Sequence, residues 1–149
     1  MIRNLMLSLC VAAFAGSTAS AQLMPADLKW GPAPPGLPPG AQVAVLSGDP
    51  GKEGMFTIRL KFPAGYAVGP HHHPAPELVT VMEGALSLGM GDMADKDKAA
   101  SLGVGGYIAM APNMNHYAFT QGGATLQVTS HGPFQIVYAN PADDPRGKK

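Results

Sequence analysis

The residues of this chain best suited to chemistry are His71-His72-His73, Glu77 and His116. Residues two apart on an extended strand share a face, so His71 and His73 project together while His72 points away. Glu77 follows four residues after His73, past Pro74 and Pro76, which bend the chain so that its carboxylate returns to the same pocket. Two imidazoles and a carboxylate can surround one divalent ion. This donor set suits iron, manganese, nickel, copper or zinc. His116 opens a later strand-like run and could supply a fourth ligand from across the fold. Three histidines in a row, taken alone, are equally compatible with an exposed surface cluster. His131 ends another run before Gly132-Pro133 and reads more readily as a surface turn residue than as a substrate contact.

The elements that must position these groups are short strands. Nineteen glycines and 15 prolines with 13% charged residues suit tight turns rather than long helices. Strand-like runs fall at 42–46, 55–62, 78–82, 85–90, 107–110, 117–120, 124–129 and 134–138. In the second, Phe56, Ile58, Leu60 and Phe62 alternate with polar residues, the period of a half-buried strand. Only 93–101 is able to form a short helical turn. Residues 22–40 carry six prolines and Trp30, which suits an extended arm docked on its own barrel or on a neighbouring subunit, or a loose leader. Tyr66, Tyr107, Tyr117 and Phe119 are expected to pack the barrel, and the methionines to fill gaps in its core. Eight strands at this spacing predict an all-β closed barrel or jelly roll in one domain.

The spacing around the histidines is specific. Gly65, five residues, His71, one residue, His73, three residues, Glu77, six residues and Gly84 reproduce the first motif of the cupin superfamily, G-x5-H-x-H-x3-E-x6-G. The second motif, G-x5-P-x-G-x2-H-x3-N, is met in part by Gly106 and Pro112. Met114 stands where that motif has glycine, His116 arrives one residue early, and Thr120 replaces the final asparagine. Asn113 and Asn115, which tolerate left-handed backbone, could replace the glycine in a remodelled turn. The chain over 42–138 thus resembles a small single-domain cupin. The resemblance implies a double-stranded β-helix barrel over 41–140 with a tail at 141–149. It also implies one divalent metal in the barrel mouth on His71, His73, Glu77 and His116, and a homodimer.

Arg3, an apolar run over 5–15 broken only by Ser8, and Ala19-Ser20-Ala21 have the layout of a secretory signal peptide cleaved after Ala21. That run falls short of the roughly 20 apolar residues a membrane helix needs. A periplasmic or secreted protein is therefore expected, with no membrane partner after cleavage. The only cysteine, Cys10, lies in the leader, leaving no disulfide and no thiolate. Ten basic and ten acidic residues cancel, and no basic stripe suggests nucleic acid.

Fold alone names no reaction. Four protein ligands on an octahedral metal leave two positions, enough for a small chelating organic substrate or for substrate and dioxygen. Iron or copper points to a dioxygenase; manganese, nickel or zinc points to a lyase or isomerase. Glu77 could also leave the metal and serve as the catalytic general base. A non-catalytic protein that binds metal or a small ligand is the competing expectation.

Overall fold

The computed structural model describes residues 22–148, so the expected signal peptide lies outside the described residues. The described residues form eleven strands: β1 (Gly31–Pro32), β2 (Gln42–Ser47), β3 (Gly54–Phe62), β4 (Ala67–His72), β5 (Glu77–Gly84), β6 (Leu86–Met90), β7 (Ala100–Leu102), β8 (Tyr107–Met110), β9 (His116–Phe119), β10 (Ala124–Gly132) and β11 (Val137–Tyr138). They make two antiparallel sheets, ordered β1-β2-β3-β10-β5-β8 and β11-β4-β9-β6-β7. The architecture is the expected all-β jelly roll in a single domain. Among the described residues no helix is long and apolar enough to cross a membrane.

The core lies between the sheets and follows the period-2 pattern. Phe56, Ile58, Leu60 and Phe62 of β3 are all buried, as are Leu126 and Val128 of β10 and Val79 and Val81 of β5. Leu86 and Leu88 of β6 face them from the other sheet. Each such side chain contributes about 1.5–3 kcal/mol when it leaves water. The nine-residue β10 is zipped on both sides, to β3 and to β5, which fixes which faces point inward.

Several elements depart from the expectation. β4 carries His71 but was not among the expected strands, because Gly69 and Pro70 interrupt its pattern; the pairing with β9 shifts register at that point. The run at 134–138 narrows to β11. The 93–101 segment holds the expected helical turn, Lys96–Lys98, and also most of β7, but it is not alone: 3-10 turns also form at Pro25–Asp27, Pro141–Asp143 and Pro145–Gly147, each opened by a proline. Tyr107 is exposed rather than packed, since Ile108 and Met110 take the inner positions of β8. Tyr66 and Tyr117 are buried as expected. Met110 lies in the core, whereas Met24, Met55, Met90, Met93 and Met114 are exposed; they sit on loops and outward-facing edges where no core needs filling.

The proline-rich stretch docks on its own barrel. β1 pairs with β2, and Leu37 and Ala41 are buried in the core. The Tyr66 hydroxyl donates to the Pro38 carbonyl at 2.6 Å, and the Tyr138 hydroxyl to the Gly36 carbonyl at 2.9 Å. Trp30 lies half-buried beneath Lys61, whose ammonium is 5.8 Å from its ring centroid.

Gly84, the glycine that ends the histidine motif, turns the chain from β5 into β6 with φ 71°. A Cβ there would stand 2.2 Å from the Gly123 carbonyl oxygen. Gly84→Ala should therefore cost at least about 1–3 kcal/mol in denaturant unfolding. Gly122→Ala, with open space around the new methyl, should stay within about 0.5 kcal/mol. Equal stability of the two variants would refute this account of the turn.

Candidate metal centre

Three strands and the residue that follows β4 deliver the polar groups to one end of the inter-sheet space. β4 brings His71 inward and turns His72 aside, and His73, just past its end, returns to the interior. β5 begins with Glu77 on the face that carries Val79 and Val81. β9 begins with His116, whose backbone pairs with His71 on one side and Met90 on the other. The turn before it runs through Asn113 at φ 61°, the left-handed residue expected where glycine is missing. Asn113 also donates its backbone N–H to the His73 carbonyl at 2.8 Å, tying the two histidine segments together.

His71, His73, Glu77 and His116 are all buried. One ring nitrogen from each histidine lies within 4.8 Å of the others. The Glu77 Oε2 stands 3.5 Å from His73 Nε2 and 3.4 Å from His116 Nε2. His72 is outside the cluster, with its Nδ1 2.7 Å from the Asn115 side-chain oxygen; the Asn115 amide in turn donates to Asp92 at 2.6 Å. His131 is exposed on the outer side of β10.

The tautomers follow from the partners. His71 Nδ1 lies 2.8 Å from the Gly69 carbonyl, His73 Nδ1 2.6 Å from the Gln135 carbonyl, and His116 Nδ1 2.9 Å from the Met114 carbonyl. A carbonyl only accepts, so each Nδ1 carries the proton and each neutral ring presents its Nε2 lone pair to the cluster. His73 Nε2 is buried with no hydrogen-bond partner. Three lone pairs and a carboxylate that face one another repel unless a proton or a cation stands between them. The donor set therefore fits a metal ion, and the carbonyls orient the rings as outer-shell partners of metal-bound histidines do.

Burial dominates the electrostatics. It holds His71 down at about 3, helped by its neighbours His116 and His73. It also lowers His73, against the opposing pull of Glu77. Glu77 feels burial in the other direction. The close approach of His116, and then of the other imidazoles, outweighs it and keeps the carboxyl below its ordinary range. The cluster thus favours neutral His71 and His73 and an ionised Glu77, the forms that bind metals.

The family model for the ChrR cupin-like domain matches residues 18–135. The chain belongs to that family. This cupin resembles many solved structures. One is the polyketide cyclase RemF from Streptomyces resistomycificus, with a TM-score of 0.66 and 16% identity over 85% of this chain and 90% of that one. The DMSP lyase DddQ from Ruegeria pomeroyi follows it at 0.59 and 20%, covering 76% and 61%. An oxalate oxidase matches at 0.53 and 23%, covering 71% and 58%. At these identities the likeness shows the shared fold. No curated protein matches the chain in sequence.

The sequence did not reveal what surrounds the cupin's histidines. Phe134 stacks on His73, with ring centroids 4.5 Å apart and planes 16° from parallel, and meets Phe56 edge-on at 5.2 Å. The three anchoring carbonyls belong to the backbone and leave no signal in residue type. The remaining walls of the cavity, which measures about 40 Å³, are apolar, among them Leu37, Val79, Leu126 and Ile136.

A pH dependence follows for the metal-free protein. Unfolded histidine titrates near 6.5, whereas His71 in the fold takes a proton only near 3. The unfolded chain therefore binds more protons between those values. The stability this group contributes is complete above about pH 6.5 and is lost as pH falls toward 3. Denaturant unfolding across that range should show the decline, and His71→Leu should make it shallower. An unchanged slope in the variant would count against a neutral, buried His71.

Proposed function

We propose that the protein is a metal-dependent enzyme acting on a small chelating organic substrate. His71, His73, His116 and Glu77 would hold one divalent transition metal. The observation that carries this reading is the set of three buried Nε2 lone pairs, each fixed by a carbonyl behind its ring and converging beside an ionised carboxylate. The metal would supply Lewis acidity, or redox chemistry toward dioxygen if it is iron or copper. Glu77 is the chain's own proton acceptor: on leaving the metal, its Oε2 can take a proton from bound substrate, which neutralises the carboxylate. The apolar walls exclude bulk water, which strengthens each of these interactions. A cyclase, a lyase and an oxidase built on the same fold support an enzyme without selecting a reaction.

The layout of residues 1–21 supports export, and we place the working protein in the periplasm or outside the cell, as a homodimer. Metal acquired there follows intrinsic affinity, which favours copper and zinc over manganese and ferrous iron. One observation favours a second reading, a binding protein that holds metal without turnover: the cavity is only about 40 Å³.

Elemental analysis of the mature protein, exported by its own leader and purified without a histidine tag, tests the first reading. We expect about one transition-metal ion per chain, as for a single-metal site, lost in His71→Ala and in His73→Ala with the barrel still folded. Unchanged metal content in the variants would remove the ligand assignment. Iron or copper then directs a screen for oxygen consumption, and zinc, nickel or manganese a screen for lyase or isomerase turnover. A cobalt(II)-loaded protein whose visible spectrum ignores added azide would support the non-catalytic reading.

A further inference from the structure

On one side the metal cavity is closed by a wall a single side chain thick. Leu37, Phe134 and Ile136 line the cavity together with the histidines. Leu37 also lines an outer groove of about 370 Å³ beside Pro145 and Arg146. Phe134 and Ile136 also line a second outer groove of about 560 Å³. These three side chains therefore separate the site from the surface.

Their attachments differ. Phe134 stacks on His73, and the Gln135 carbonyl next to it anchors the same ring. The Ile136 carbonyl accepts from Arg146 at 2.8 Å. Both belong to the support of the site. Leu37 comes instead from the N-terminal arm and carries no ligand. It is 7% exposed and clasped on either side, by the Tyr138 hydroxyl at Gly36 and the Tyr66 hydroxyl at Pro38. The clasp presses one isobutyl group into the cavity, and of its two tyrosines Tyr138 also pairs with His71.

We propose that Leu37 is the specificity-determining residue of this pocket. It restricts the ligand that reaches the metal to molecules of about three non-hydrogen atoms, such as formate. The cavity of about 40 Å³ offers room for roughly three water-sized groups at about 10–15 Å³ each. Larger chelators are excluded by the isobutyl group and not by the ligands themselves. Trimming it joins the cavity to the outer groove. The inference rests on the metal reading above.

The test uses the full mature chain, as wild type and Leu37→Ala, each loaded with cobalt(II). Azide fits the cavity; picolinate does not. Azide should shift the visible spectrum of both proteins with closely similar affinity. Picolinate should bind Leu37→Ala at least about tenfold more tightly than wild type, the scale on which trimmed apolar walls change selectivity. Equal picolinate affinity would overturn the proposal. A merely structural role for Leu37 would weaken both ligands together, and that outcome would also overturn it. A second arm needs no metal: benzene should raise the melting temperature of metal-free Leu37→Ala and leave that of wild type unchanged. If cobalt does not bind, the metal reading falls, and the benzene arm alone decides whether Leu37 limits the cavity. Should Leu37→Ala fail to fold, Leu37→Val carries both arms with smaller shifts.

Discussion

Each histidine of the cluster gives its Nδ1 proton to a backbone carbonyl, and the character of the site rests on those three bonds. They set the tautomer, fix the plane of each ring and leave three Nε2 lone pairs with nowhere to go but one another. Two of the carbonyls, Gly69 and Met114, lie two residues before the histidine they hold, so entry into β4 and β9 sets those rings locally. The third is Gln135, 62 residues from His73. His73 is oriented only when the segment after β10 has folded back across the barrel. The segment that orients this ligand also closes the cavity wall, through Phe134 and Ile136.

Placing such a cluster between two apolar sheets is costly unless a cation joins it. Burial depresses His71 and His73 and opposes ionisation of Glu77, and the imidazoles around Glu77 outweigh that and hold it ionised. Removing either kind of partner leaves an uncompensated polar group in a low-dielectric interior. The pairing of β4 with β9 holds His71 beside His116, and β5, zipped to β10, holds Glu77 opposite them. The cluster is therefore pre-organised for an ion, since its own side chains offer His73 Nε2 no hydrogen-bond partner.

The arm brings a different kind of control. It adds a strand to one sheet edge, covers Tyr66 and Tyr138, and places Leu37 among core residues that come from the barrel itself. A part of the chain with little ability to form regular structure thus becomes a wall of the site. Selectivity of the pocket and chemistry of its ligands are carried by separate segments.

Much was legible in the sequence because its causes are local. The alternation of Phe56, Ile58, Leu60 and Phe62 dictates an inward face whatever the rest of the chain does. The spacing of His71, His73 and Glu77, framed by Gly65 and Gly84, marks a turn-strand unit whose side chains share a side. Even the remodelled turn at Asn113 was readable, since few residues tolerate its backbone. β4 was hidden by Gly69 and Pro70, and the exposure of Tyr107 depended on which face of β8 met the core. His116 was marked by the partly met second motif, and the pairing of β4 with β9 brought it to the other histidines. Tertiary structure alone decided that Asn115 draws His72 away through a side-chain contact, that the Gln135 carbonyl orients His73, and that Leu37 and Phe134 bound the cavity. These are contacts between segments far apart in the chain, and they leave no mark in local spacing.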